Sequence, residues 1–255
     1  MKPPLFILNS NIKLVGLGLY LEDIETLVVA DLHLGYEQAL SERGIHLPPI
    51  QLRQIRKILN TMINEVKPSN LIIAGDVKHE FGSALRQEWS EVIDLFEWLK
   101  ALGIRSHVVR GNHDNFLIPI LKKLEVPLHD PYYKVGKYLF IHGHKPLSPE
   151  AYAQDVELII MGHEHPAVLI SDELGIRLKF KCFLRGQIDD KELIVLPAIS
   201  PLMPGTEVNI IDGRRILSPI LLQVNLDYFR VYVVDMTAGI FDFGTVNLLK
   251  SMLFS

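Results

Sequence analysis

The chain of 255 residues carries 26 basic and 30 acidic side chains, a formal net charge of −4 with histidine neutral, and 48% hydrophobic residues. That is the composition of an ordinary soluble globular protein, with enough length for one large core or two small ones. It excludes a global basic field for nonspecific DNA binding, a disulfide framework, since Cys182 is the lone cysteine, and an apolar run long enough to span a membrane.

Residues 12–20 and 26–30 read as strands, rich in β-branched and apolar positions and parted by Glu22, Asp23 and Glu25 at a turn. The second runs directly into Asp31-Leu32-His33-Leu34-Gly35. A loop with Arg43, Gly44 and Pro48-Pro49 follows. Leu52, Ile55, Ile58, Leu59, Met62 and Ile63 then recur at three- and four-residue spacing, predicting a helix over 50–66 that Pro68 ends. Residues 71–74 form a buried strand into Gly75-Asp76. A second helix is expected over 87–102, with Trp89, Val92, Ile93, Phe96 and Leu99 inward and Gly103 as its stop.

The strand 104–109 delivers Gly111-Asn112-His113-Asp114, and 115–124 reads as helical. Strands 138–141 and 158–161 precede His142-Gly143-His144 and Gly162-His163-Glu164-His165. The alternation predicts an α/β layered architecture with polar motifs at strand ends. Beyond 166 the runs 167–171, 176–185, 192–196, 207–211 and 229–235 predict an antiparallel, β-rich second half. The last twenty residues read as a strand and short helix. With no linker or repeat, one domain over 1–255 is expected.

Each of these polar clusters is an ordinary turn taken alone. Together, five strand ends each present Asp, Asn or His. Asp31 and His33 stand two apart, as do His163 and His165, so each pair projects to one side of an extended chain. The set is the mixed oxygen and nitrogen inventory of divalent first-row metals rather than of thiolate-bound zinc. It points to one two-metal site.

The ordered motifs D-x-H (31–33), G-D (75–76), G-N-H-D (111–114), H-G-H (142–144) and G-H-x-H (162–165) resemble those of the calcineurin-like metallophosphoesterases over residues 26–166. The tracts 31–37 and 75–81 are most similar to archaeal phosphoesterases related to the SbcD repair nuclease and to bacterial DNA-ligase-associated phosphoesterases. The resemblance implies a four-layer αββα sandwich, two mixed β-sheets flanked by helices, and phosphoester hydrolysis by a hydroxide bridging two cations. It implies Asp31, His33 and His165 on the first metal, Asp76 bridging, and Asn112, His142 and His163 on the second. His113 would meet the substrate, with Asp114 fixing its ring. Manganese is the metal implied, though the donor set also accepts Fe, Co, Ni or Zn. A diester on DNA or nucleotides is the leading substrate class; a monoesterase or cyclic-nucleotide phosphodiesterase would use the same site, and a non-catalytic scaffold subunit could keep the fold without turnover.

Arg43, His79 and His144 are candidates for substrate contact or for support of the metal ligands, against a plain reading as loop residues. Arg177, Lys179, Lys181 and Arg185 alternate with apolar residues, either a phosphate-binding patch or the solvent face of a half-buried strand. Cys182 is expected as a small buried hydrophobe. The apolar stretch at 5–8 is too short for a signal-peptide core, so a cytoplasmic location is expected.

Overall fold

The computed structural model describes residues 2–80, 86–171, 175–210 and 215–252. Its first sheet begins as an antiparallel meander of β1 (Leu5–Ile7), β2 (Ile12–Val15), β3 (Gly18–Leu21) and β4 (Thr26–Val29). It continues in parallel through β5 (Asn70–Ala74), β6 (Arg105–Val109) and the two-residue β7 (Leu128–His129). Helices supply the crossovers that parallel strands require: α1 (Tyr36–Glu42) and α2 (Gln51–Val66) after β4, α3 (Arg86–Ala101) after β5, and α4 (Ile118–Lys123) after β6.

The second sheet opens with a hairpin of β8 (Tyr132–Val135) and β9 (Tyr138–Ile141). Strand β10 (Leu158–Met161) lies parallel to both β9 and β13 (Lys191–Val195). The long β12 (Arg177–Ile188) pairs antiparallel with β13, with β11 (Pro166–Ser171) and with β15 (Arg230–Asp235), which in turn pairs β16 (Gly239–Thr245). Strand β14 (Thr206–Glu207) runs parallel to β11, and α5 (Val246–Met252) ends the described chain.

Alternation along each strand sorts the side chains into layers. Tyr138, Phe140, Leu158, Ile160 and Ile194 join one core with the first sheet and with Ile55, Leu59, Met62, Val92, Phe96 and Leu99 of α2 and α3. Their neighbours Leu139, Ile141, Ile159, Met161, Leu193 and Val195 point the other way. They form a second core with Ile220, Leu221 and Leu226 and with Val246 and Leu249 of α5. Both sheets are mixed and both faces of the second are covered, as the expected sandwich requires. Tyr138 donates its hydroxyl to Asp23 at 2.8 Å, tying the second sheet to the β3–β4 turn.

Several expectations are revised. Residues 12–20 are not one strand but a hairpin turning at Gly16. In α3 Leu95 is buried, while Trp89 stays 41% exposed, because the inward stripe runs through Glu88, Glu91, Val92, Leu95, Phe96 and Leu99 and is turned away from Trp89. Helix α1 has little apolar face, burying Glu37 and Ala39, so periodicity could not reveal it. The second half is mixed rather than purely antiparallel, since β14 pairs β11 in parallel and β13 pairs β10 likewise. The strand expected over 207–211 shrinks to Thr206–Glu207; residue 211 lies outside the described residues. No helix among the described residues is long and apolar enough to cross a membrane.

Candidate metal centre

Parallel strands β4, β5 and β6 of one sheet and β9 and β10 of the other end on the same side, where open sheets place ligands. Past β4 the chain stays bonded to its neighbour: Asp31 N–H donates to Gly75 O at 3.1 Å and His33 N–H to Asp76 O at 2.9 Å. The D-x-H and G-D motifs are thereby locked side by side.

Among the described residues, three groups of side chains offer ligand atoms within 4.8 Å of one another: Asp31, His33, Asp76 and His165; Asp76, His142 and His163; and, beside the first, His33, His79 and His113. Asp76 is shared by the first two, and His33 by the first and third. Asp76 Oδ2 lies 3.7 Å from His33 Nε2 and 3.2 Å from His142 Nε2. Asp31 Oδ1 lies 3.2 Å from His165 Nε2. Asn112 Oδ1 stands 3.0 Å from His142 Nε2, on the second group's side. Asp31, His33, Asp76 and His142 are buried.

The i, i+2 argument needs amending. Asp31 (φ 59°), His33 (φ 48°), Asp76 (φ 52°), His163 (φ 69°) and His165 (φ 50°) all take left-handed backbone rather than extended chain. His163 and His165 fall in different groups, as the resemblance implies, whereas Asp31 and His33 fall in one. Each such residue costs of order 1–3 kcal/mol and persists only where its surroundings over-determine it, a pattern typical of functional sites.

Electrostatics suit a cation. Burial pushes the Asp76 carboxyl up, but the charge and hydrogen bond of His142 outweigh it and hold the group well below the usual carboxylate range. Burial lowers the pKa of His142, and Asp76 more than reverses this. A buried, proton-sharing Asp–His pair is a place where a metal ion can replace the proton. His142 Nδ1–H donates to Ala74 O at 2.9 Å, so Nε2 is the nitrogen presented to the site.

In the G-N-H-D motif, Gly111 is needed for close approach rather than for a sharp turn. A Cβ there would sit 2.1 Å from Asp76 Oδ1. Gly75 is similar, with His142 Nδ1 at 2.2 Å from a Cβ. Fully buried Asp114 accepts from the backbone N–H groups of Gly111 (2.8 Å), Asp76 (2.9 Å) and Val77 (2.9 Å). Burial and the charge of Asp76 push its carboxyl up to about 7, against the pull of these donors. The expectation that Asp114 orients His113 is therefore revised. Asp114 shapes the loop that carries Asp76, and His113 Nδ1–H donates to the His79 carbonyl. That turns His113 Nε2 to 3.8 Å from Asp76 Oδ2.

His79 joins His33 and His113 in the third group, its ring 5.4 Å from that of His33 and tilted against Tyr36 at 4.0 Å. Burial, then His113 and Arg43, lower its pKa to about 4. Arg43 lies further out, 66% exposed and 4.0 Å from Glu80. His144 flanks the second group, 5.2 Å from the His142 ring, with its Nδ1 buried and unpartnered. The basic stretch of β12 is neither a free patch nor a plain solvent face: Lys179 pairs with Glu207, Arg185 with Glu192, and Lys181 turns inward to the carbonyls of Ala198 and Ser200. Cys182 is buried, as expected.

Sequence reading missed the residues behind the ligands. Buried Glu164, between His163 and His165, accepts from Leu217 and Ser218 N–H, both at 3.0 Å. Glu88 accepts from His79 N–H at 3.2 Å and from Glu80 N–H at 2.6 Å. Ser200 N–H donates to Asp31 O at 3.2 Å. These contacts join residues far apart in the chain and leave no local pattern.

The sequence of residues 24–167 matches the profile of the Calcineurin-like phosphoesterase family. No curated protein matches the sequence. Among solved structures, the Pseudomonas putida nuclease MPE aligns at 20% identity and a TM-score of 0.62, covering 89% of this chain and 94% of its own. At that identity the likeness is one of fold. The E. coli phosphoesterase YfcE aligns at 16% identity and a TM-score of 0.42, over 86% of this chain and 98% of its own. The chain belongs to the calcineurin-like phosphoesterase family, and it is a hydrolase acting on phosphoester bonds.

Proposed function

We propose that the chain is a metal-dependent phosphodiesterase or nuclease acting on nucleic acid or nucleotides in the cytoplasm, as one catalytic domain to which both sheets contribute. Asp31, His33, Asp76 and His165 would hold one divalent cation, and Asp76, Asn112, His142 and His163 the other. The observation that carries this reading is the single carboxylate, Asp76, shared by two histidine-rich groups. Carboxylate, amide and imidazole together suit manganese, which the family resemblance favours.

Two cations held there would supply an acidified water and positive charge for the phosphoryl oxygens. The chain's own groups do the rest. His142, with Nδ1–H committed to Ala74 O, keeps one tautomer and one orientation. His113 Nδ1–H is likewise committed to the His79 carbonyl. Its Nε2 would therefore take a proton from solvent water and pass it to the departing oxygen. Burial depresses the His113 pKa, which makes that proton easy to release. His79 and Arg43 on one flank, and His144 on the other, are placed to contact substrate oxygens.

The test is a manganese-supplemented panel of an aryl monoester, an aryl diester, cyclic nucleotides, and single- and double-stranded DNA. Hydrolysis of the diester and of DNA is expected. Activity on the monoester alone would sink the nuclease reading. No turnover with both metal positions filled would favour a scaffold.

A further inference from the structure

The ligand-bearing turn at 31–35 holds its left-handed backbone against an unusual brace. Gln51, the first residue of α2, is fully buried, and its amide Nε2 donates to His33 O at 2.9 Å, Leu32 O at 3.2 Å and Ser200 Oγ at 2.9 Å. Two of these acceptors are the consecutive carbonyls around His33, whose φ is 48°. The third belongs to the segment whose backbone N–H groups reach back to the same turn, Ile199 to Ala30 O at 3.0 Å and Ser200 to Asp31 O at 3.2 Å. Lys181, from the second sheet, caps the carbonyls of Ala198 and Ser200.

The backbone that carries Gln51 is itself held. Gln51 N–H and Ile50 N–H both donate to Glu37 Oε1 at 2.8 Å. Gln87 Nε2 bridges Glu37 at 3.2 Å and Glu91 at 2.7 Å, and Glu91 accepts from Gly35 N–H at 2.9 Å. The network leaves the turn at the His33 carbonyl and returns to it at the Gly35 N–H through half-buried Gln87, so both ends are fixed by one set of groups. Gln51 Oε1, meanwhile, is buried without a hydrogen-bond partner. Buried polar atoms are rarely left so. The two N–H groups of the amide are shared among three acceptors, and the side chain is placed for these donations rather than for its own satisfaction.

We infer that Gln51 is a positioning residue for the first metal position, holding the His33 backbone so that the imidazole and Asp31 face one ion. The inference rests on the two-metal reading above. It concerns one of the two positions, because the Gln51 contacts fall on the 31–35 turn and on Ser200 and not on His142 or His163.

The experiment is calorimetric titration of the metal-stripped full chain with manganese, for wild type and Gln51→Met, which keeps the volume and loses the donor. His165→Ala identifies the binding step of the first position. The expected result is that this step weakens by about 10–100-fold in Gln51→Met, the usual effect of removing an outer partner of a ligand. The other step should stay within about threefold, well below that range, and saturating manganese should restore kcat. Two unchanged dissociation constants would overturn the inference. So would two that weaken together with the melting temperature of the metal-free chain, since that is a merely structural role. Should Gln51→Met fail to fold, Ser200→Ala removes a single acceptor and must weaken the same step; no shift there overturns the inference equally. A wild type that binds no manganese would instead overturn the two-metal reading itself.

Discussion

His113 and Asp114 are neighbours in sequence with separate tasks. His113 presents Nε2 toward Asp76 from a ring fixed by the His79 carbonyl. His113→Ala should therefore keep its metal content and lose turnover by about 10²–10⁴-fold, the range for a positioned acid. Collapse of metal content, read by elemental analysis, would make His113 a ligand instead. Asp114 gathers three backbone N–H groups around the Asp76 loop. Asp114→Asn can no longer accept from all of them without turning an amide N–H against a donor. The expected cost is about 1–3 kcal/mol for buried donors left unmade, or about 2–4 °C in Tm per kcal/mol for a chain of this size. Thermal unfolding checks this. An unchanged Tm with lost turnover would return Asp114 to the chemistry.

At the scale of elements, the short β7 and β8 join the two sheets through a stack of His107, His129 and Tyr133. His107 Nδ1 and His129 Nε2 are 3.2 Å apart, and the Tyr133 ring lies 3.9 Å from that of His129. Burial lowers both histidine pKa values, with Arg105 adding to the effect on His107 and His107 to that on His129. Below the unfolded-state pKa of about 6.5 the unfolded chain binds these protons more readily than the folded one, so their contribution to stability falls as the solution is acidified. In metal-free protein the Tm advantage of wild type over His129→Phe should shrink from pH 7 toward pH 5. A constant or growing gap contradicts the argument.

The same scale shows what the sequence could reveal. The periodic α2, the apolar strands β5, β6, β9 and β10, and the motifs at their ends were legible because each is a local pattern of spacing or burial. The short α1 was not, because Glu37 faces inward as a hydrogen-bond acceptor rather than as part of an apolar stripe. The left-handed backbone of the ligands was hidden as well, since Asp and His give no local sign of φ. Gln51, Glu91 and Ser200 escaped because their importance lies in contacts with turns many residues away.

Taken whole, the molecule keeps its site where two sheets meet. Asp31, His33 and Asp76 follow strands of the first sheet and His142, His163 and His165 strands of the second, so an ion held by them would cross-link the sheets. A ligand held only by the folded state stabilises it by about 4 kcal/mol at a thousandfold excess over Kd. Chelation should therefore lower Tm by several degrees, and added manganese should restore it. A Tm indifferent to chelation would mean that no ion is held between the sheets.

Titrating metal-stripped protein with manganese while following hydrolysis of an aryl phosphodiester tests the central claim most directly. The account predicts no turnover at the start, a rise that saturates as the second ion per chain binds, and no such rise in Asp76→Asn, which lacks the shared carboxylate. Full turnover in the stripped protein, or saturation at a single ion, would contradict it.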